Sequence, residues 1–249
     1  MDPGFPRYFR IGGFSVNSYK VFLCAGIYAG MIVSAAVAER SGLSPLRMGA
    51  ACVGAAFLGL AGARIAHLLA FAPHYLRERS WAALWDTSRG GWSLFGALLF
   101  LPLVSFLLPR ALRVPPSVFW DYVAPGIVVG GIVIRLGCVF NGCCGGRETR
   151  AWYSVRLHDT QGVRKARIPV QLMEIGWWIL AGAGLAALWP RSLAPGSYAL
   201  GVAAWYGLGR FWLEPLREAP DLASGRLRVN QVVAALLAVT AGCGLFLLA

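Results

Sequence analysis

At 57% hydrophobic residues over 249, with a mean hydropathy of +0.60, the chain exceeds the roughly 45–50% apolar content of soluble domains and falls outside that class. Its formal net charge of +12 comes almost wholly from arginine, because Lys20 and Lys165 are the only lysines. Arginine grips phosphate or carboxylate bidentately, so the bias supports phosphate handling, although arginine-rich codon usage would give the same bias. These features imply an integral membrane protein: a single polytopic domain over residues 1–249, in contact with the lipid bilayer and without a nucleic-acid partner.

Residues 1–17 carry Pro, Gly and aromatics without evident periodicity and are expected to form an interfacial lead-in. No cleavable signal peptide is expected, since the first apolar run is long enough to span a bilayer and others follow directly. The first span is predicted at 19–38, closed by Glu39-Arg40-Ser41-Gly42. The second, at 48–72, carries Arg64 and His67 one helical turn apart, on a face where meeting lipid would be too costly. A loop with Arg77, Glu78, Arg79, Asp86 and Arg89 leads to Gly90-Gly91-Trp92-Ser93-Leu94-Phe95-Gly96 and a third span ending near Pro109. The fourth, at 117–134, starts with Trp120, Asp121 and Tyr122, and its Gly126, Gly130 and Gly131 permit close helix packing.

The stretch from Ile134 to Thr149, IRLGCVFNGCCGGRET, is too polar and too rich in glycine to be only another span, and reads as a site. Residues 147–168 hold six basic residues and alternate in part, which predicts a small extramembrane lobe built on a hairpin. The fifth span, at 170–189, follows Pro169 and carries Gln171 and Glu174 in its first turn. The sixth, at 197–213, contains Tyr206 and Arg210, with Glu214 and Arg217 after it, and the seventh, at 230–248, is purely apolar. The expected fold is therefore all-α, with about seven transmembrane helices and the lobe near 147–168. Seven spans separate the two termini, but with the N-terminus outside, the arginines oppose the positive-inside rule, so charge does not set the orientation.

The ionisable residues at membrane depth are Arg64, His67, Arg135, Glu174, Arg210, Glu214 and Arg217. Arg210, Glu214 and Arg217 can share a helical face and neutralise one another, which alone would be a network that only holds helices together. Arginines outnumber acids, however, and the surplus positive charge requires an anion. Without a nucleotide-loop motif, the simplest anion at that depth is a phospholipid headgroup. A transporter or lipid-binding scaffold could use the same arginines, but no internal repeat is evident.

Cys24, Cys52 and Cys243 sit singly in apolar runs and are expected to be small core residues. Cys138, Cys143 and Cys144 give a C-x4-C-C spacing, which is not a standard zinc pattern, and no histidine lies within the segment. No metal and no cofactor are expected; a thiol redox or metal-binding membrane protein is the rival reading.

In these residues the chain resembles the bacterial prolipoprotein diacylglyceryl transferases. Their signature, G-R-x-G-N-F-x-N-x-E-x-x-G-R-x-T, is matched in register by Arg135, Gly137, Asn141, Gly146, Arg147 and Thr149. Gly62-Ala63-Arg64, Gly90-Gly91-Trp92-Ser93 with Gly96, and Asp121, Ala124 and Pro125 resemble further family motifs in the same order. So do Pro169, Gln171, Leu172 and Glu174, and then Tyr206-Gly207, Arg210-Phe211, Glu214 and Arg217, followed by Pro220-Asp221.

The resemblance implies a multi-pass enzyme of the bacterial cytoplasmic (inner) membrane, without cofactor. It would move the diacylglyceryl group of phosphatidylglycerol to a lipobox cysteine of a secreted preprotein, releasing glycerol phosphate. A paralogue using the same arginines on another lipid or thiol acceptor is the alternative. Arg135 and Arg210 match the family's essential arginines and are expected to hold the phosphate. Arg64, Asn141, Gly146, Arg147, Gln171, Glu174, Tyr206, Glu214 and Arg217 are expected to line or orient the lipid site. The chain departs from the family at Phe95, where a histidine is usual, at Cys138 for an asparagine, and at Cys143 for the signature glutamate. Cys138 and Cys143, whose thiols neighbouring arginines can acidify, are then the expected base or nucleophile.

Overall fold

The computed structural model describes residues 6–70, 72, 100–218, 223–224 and 227–248. The 90–96 turn, the 77–89 loop charges and Pro220-Asp221 lie outside them. Seven α-helices run through the described residues: α1 Ser18–Arg40, α2 Pro45–Ala70, α3 Leu101–Leu112, α4 Pro116–Asn141, α5 Val170–Leu188, α6 Ser197–Leu213 and α7 Val229–Leu248. Five of them, α1, α2, α4, α5 and α7, are long and apolar enough to cross a membrane. Three antiparallel strand pairs accompany them: β1 Tyr8–Ile11 with β2 Phe14–Asn17, β3 Val155–His158 with β4 Arg164–Arg167, and β5 Ala223–Ser224 with β6 Leu227–Arg228.

Two of the expected elements need correction. The N-terminal stretch is not an aperiodic lead-in but a hairpin, with Ile11 opposite Phe14 across a Gly12-Gly13 turn. Such a two-residue turn needs positive φ, and Gly12 supplies it at +60°. The fourth helix does not stop at 134 but continues to Asn141, where Gly142 ends it at φ +73°. Arg135, Cys138 and Asn141 are therefore helical. The expected hairpin in the 147–168 lobe is present as β3–β4.

Helix α4 is the spine of the bundle, and small residues set its approach to its neighbours. A Cβ on Gly30 would lie 2.7 Å from the Gly126 carbonyl oxygen, and one on Gly130 would lie 2.9 Å from that of Gly26. A Cβ on Gly126 would overlap Ser34 Oγ outright. Backbones this close gain dispersion contacts that lipid cannot replace. On its other face, Gly131 receives the Trp178 ring of α5, so closely that a Cβ there would lie 2.6 Å from Trp178 Cε2.

The apolar core falls into two clusters. One joins α1 to α4 through Ala38, Met48, Ala51, Val104, Leu112 and Phe119; the other joins α4, α5 and α6 through Ala124, Val128, Trp178, Ala181, Tyr198 and Val202. Cys24 and Cys243 belong to neither. Both are exposed on outward helix faces, contrary to the expectation of core packing, because a lipid-facing position accepts a small apolar side chain as readily as a buried one. Asp121 is buried and caps α6 from outside: its carboxylate accepts from Gly196 N at 2.6 Å and Ala199 N at 2.9 Å. Two orphan donors of the helix N-terminus are satisfied this way.

Gly126→Ala should destabilise the protein in detergent by about 1–3 kcal/mol, the usual cost of overpacking. Gly184→Ala, where an added Cβ meets nothing within 4 Å, should instead be neutral or stabilising by up to about 1 kcal/mol. Thermal unfolding of both variants checks the pair of outcomes.

Candidate active site

Helix register brings the charges together. Gly131 of α4 lies against Trp178 of α5, and because the helices run antiparallel, one turn onward in α4 and one turn back in α5 place Arg135 beside Glu174. Between α5 and α6, Trp177 and Trp205 stack with centroids 4.3 Å apart and exchange indole-to-carbonyl hydrogen bonds of 2.8 and 2.9 Å. The same antiparallel step carries Arg210 towards Glu174.

Glu174 is the common partner. Its carboxylate meets Arg135 Nε at 3.0 Å and Arg210 Nη1 at 3.5 Å, and Arg217 Nη2 donates to both of its oxygens at 2.7 and 3.0 Å. Glu214 adds a second anchor, 2.8 Å from Arg210 Nη2 and 3.8 Å from Arg217 Nε. Asn230 of α7 donates to Glu214 Oε1 at 3.1 Å, and Arg228 donates to the carbonyls of Glu214 and Arg217 at 2.9 and 3.2 Å.

Among the described residues, three guanidinium groups share two carboxylates in these ion pairs, one positive charge more than the acids supply. The arginine side chains are 17% exposed for Arg135, 12% for Arg210 and 6% for Arg217, so all three are largely buried and Arg135 is the most accessible. Removing either carboxylate would leave buried positive charge uncompensated.

The cysteines sit at the same end. Arg135 Nη1 lies 3.7 Å from Cys138 Sγ, and the sulfurs of Cys138, Cys143 and Cys144 all lie within 4.8 Å of one another. Cys138 is buried and Cys143 half-buried. Hydrogen bonds from the Cys138 and Cys143 thiols, with Arg217 and Arg135 behind them, hold the Cys144 thiol well below its ordinary range.

Several residues expected to line or orient the lipid site make contacts that hold its frame. Asn141 accepts from Asn17 Nδ2 at 2.9 Å and ties the N-terminal hairpin to α4. The Arg147 guanidinium donates to the Pro215 carbonyl, and its backbone N–H to Leu216 O at 2.9 Å. Gly146 pairs with Arg217 as an isolated bridge and presses against Ile168, where a Cβ would overlap the Ile168 carbonyl. Gln171 Nε2 donates to Cys143 O at 3.0 Å. Tyr206 stacks on Trp178 at 5.5 Å, beside the cluster. Arg64 lies with His67 near the C-terminal end of α2, and the ion pairs on Glu174 and Glu214 described above do not include it.

Sequence reasoning missed Asn17, Arg167, Arg228 and Asn230. Arg167 is buried and pairs with Glu218, with Asp159 at 3.4 Å and with Glu148 at 3.9 Å, fastening the lobe beside the site. Backbone N–H groups of Val163 and Gln161, together with Arg167 and Lys165, keep the Asp159 carboxyl below its usual range. His158 donates from Nε2 to Phe140 O at 3.0 Å, joining the lobe to α4. The six basic residues of 147–168 signalled the lobe, but nothing in their spacing singled out Arg167.

The chain matches the prolipoprotein diacylglyceryl transferase family over residues 6–248. Among curated relatives, the phosphatidylglycerol–prolipoprotein diacylglyceryl transferase of Gloeobacter violaceus is 30% identical, covering 99% of this chain and 95% of that protein. The enzymes of the same name from Bifidobacterium longum and Frankia alni are 28% and 29% identical, covering 98% and 93% of this chain. The match spans 84% of the Bifidobacterium protein but only 63% of the Frankia one.

Glu174→Gln should cost about 3–5 kcal/mol of stability, because three arginines lose a common counter-charge. Glu148→Gln, which removes a carboxylate that is 49% exposed, should cost less than about 1 kcal/mol. Denaturant or thermal unfolding of the two variants side by side measures the contrast.

Proposed function

The chain belongs to the prolipoprotein diacylglyceryl transferase family, and we propose that it transfers the diacylglyceryl group of phosphatidylglycerol to a prolipoprotein cysteine. Glycerol phosphate is the leaving group, and the acceptor is the lipobox thiol of a secreted preprotein. The observation that carries this reading is the gathering of Arg135, Arg210 and Arg217 on Glu174, three guanidinium groups on one buried carboxylate, with Arg135 the most accessible of the three.

In this reading the acceptor thiolate attacks the glyceryl carbon bonded to the phosphate oxygen. The carbon–oxygen bond breaks and the electron pair leaves with the phosphate. Charge therefore grows on the phosphate at the transition state, and in this reading Arg135 and Arg210 stabilise it. Glu214 and Arg217 orient Arg210 through the contacts of 2.8 and 3.8 Å. Asn141, Gly146, Arg147 and Gln171 act by holding the frame around these groups. Cys138, 3.7 Å from Arg135, and its neighbour Cys143 are the groups assigned in this reading to the deprotonation of the acceptor.

The protein sits in the bacterial cytoplasmic membrane with seven spans. Helix α6, with 17 residues, reaches about 26 Å, close to the roughly 30 Å hydrocarbon core. The helices run alternately up and down, so the site, the N-terminal hairpin and the β3–β4 lobe share one side of the bilayer, where lipid headgroups and a secreted acceptor meet.

Arg135→Ala and Arg210→Ala should each lower the rate of diacylglyceryl transfer by about 100-fold or more, the usual loss when a preorganised charge donor is removed. Arg147→Ala should retain most activity. Transfer from phosphatidylglycerol to a lipobox peptide, followed by peptide mass, measures all three; an active Arg135→Ala variant would overturn the phosphate clamp.

A further inference from the structure

Cys138 and Cys143, which stand at the family's Asn and Glu positions, and the neighbouring Cys144 are brought together by the local fold. Cys138 lies on the last turns of α4, Gly142 ends the helix, and Cys143 N bonds back to Cys138 O at 3.2 Å. Cys144 then occupies the left-handed region at φ +59°, which is costly for a residue with a Cβ and persists only where the surroundings hold it. The hold is visible: Gln171 Nε2 fixes Cys143 O at 3.0 Å, and Glu218 N fixes Gly145 O at 3.1 Å. The result is three sulfurs within 4.8 Å of one another. Zinc–sulfur bonds of about 2.3 Å in a tetrahedral site put sulfurs roughly 3.8 Å apart, within a small side-chain adjustment of this arrangement.

We propose that Cys138, Cys143 and Cys144 bind one zinc ion and leave its fourth position open to the acceptor thiol. Thiolate ligands select soft or borderline ions of this kind, and three protein ligands with one open position are the pattern of catalytic zinc. Among the described residues the ligand group ends at these three. Charge fits as well. Zinc with three thiolates carries one net negative charge, and the adjoining arginines and glutamates carry one net positive. Gln171 Oε1, buried and without a hydrogen-bond partner among the described residues, lies on the side chain that braces Cys143 and offers an acceptor to whatever enters.

The inference rests on the transferase reading for the identity of the acceptor. A thiol that coordinates zinc gives up its proton to solvent and becomes the thiolate that attacks the glyceryl carbon. The carbon–sulfur bond forms as the carbon–oxygen bond breaks, and the pair departs with the phosphate beside Arg135. The ion thus replaces a protein base.

The test uses the full-length protein in detergent, reduced, stripped with a chelator and titrated with zinc chloride or cobalt(II) chloride. Expected are one ion per chain, a sulfur-to-cobalt charge-transfer band, and a band that grows with a lipobox cysteine peptide but not with its serine counterpart. Cys138→Ser, Cys143→Ser and Cys144→Ser should each weaken binding more than about tenfold, since even outer-shell partners are worth that much. Cys24→Ser and Cys243→Ser should bind as the parent does. Substoichiometric binding by the parent, a well-folded Cys144→Ser variant that binds equally well, or a band indifferent to the peptide would overturn the proposal. Stripped protein that transfers lipid at the full rate would overturn it while leaving the transferase reading intact. A peptide-responsive band in a protein that never turns over phosphatidylglycerol would support the ion site and remove that reading.

Discussion

Glu174 is the point on which the site depends. One carboxylate joins Arg135 of α4, Arg210 of α6 and Arg217 beyond it, so three helices are bound through a single buried anion. Burying an ion pair gives little net stability, because desolvation offsets most of the attraction. Its value here is placement. Arginines that would repel one another if brought together alone are held side by side, and the surplus charge they leave is what an anionic headgroup can answer.

That placement is set by packing several ångströms away. Glycines let α4 approach α1 backbone to backbone and let it take the Trp178 ring from α5, while the Trp177–Trp205 stack fixes α5 against α6. Each interface specifies a register, and the charged residues sit one turn from the contacts that specify it. A small shift between helices would therefore move Arg135 or Arg210 out of reach of Glu174. In this sense the apolar core and the polar site are built as one.

Much of this was legible in the sequence. Apolar runs located the helices, although the fourth runs on to Asn141 rather than ending at 134, and the cost of charge at membrane depth picked out Arg135, Glu174, Arg210, Glu214 and Arg217 together with Arg64 and His67 of α2. What escaped were features that depend on partners distant in the chain. Gly137 lay beyond the expected end of the fourth span, but it sits in the helix, where its missing side chain makes room for Phe22. Asn141, Gly146 and Arg147 carried the family pattern and so were expected to line or orient the lipid site, but nothing local showed that they also brace the hairpin, Ile168 and Pro215. Arg167, Arg228 and Asn230 had no local spacing to mark them. The C-x4-C-C spacing argued against a metal site as a linear motif, yet the left-handed turn at Gly142 and Cys144 folds its three sulfurs onto one another.

The central claim is that this cluster receives a phosphate leaving group while a thiol takes the diacylglyceryl chain. The most direct measurement is product stoichiometry: purified protein incubated with headgroup-labelled phosphatidylglycerol and a lipobox peptide, with peptide mass and released glycerol phosphate followed together. The account predicts equal amounts of thioether-linked diacylglyceryl peptide and glycerol phosphate. Glycerol phosphate release without peptide modification, or an unchanged peptide with intact lipid, would contradict it.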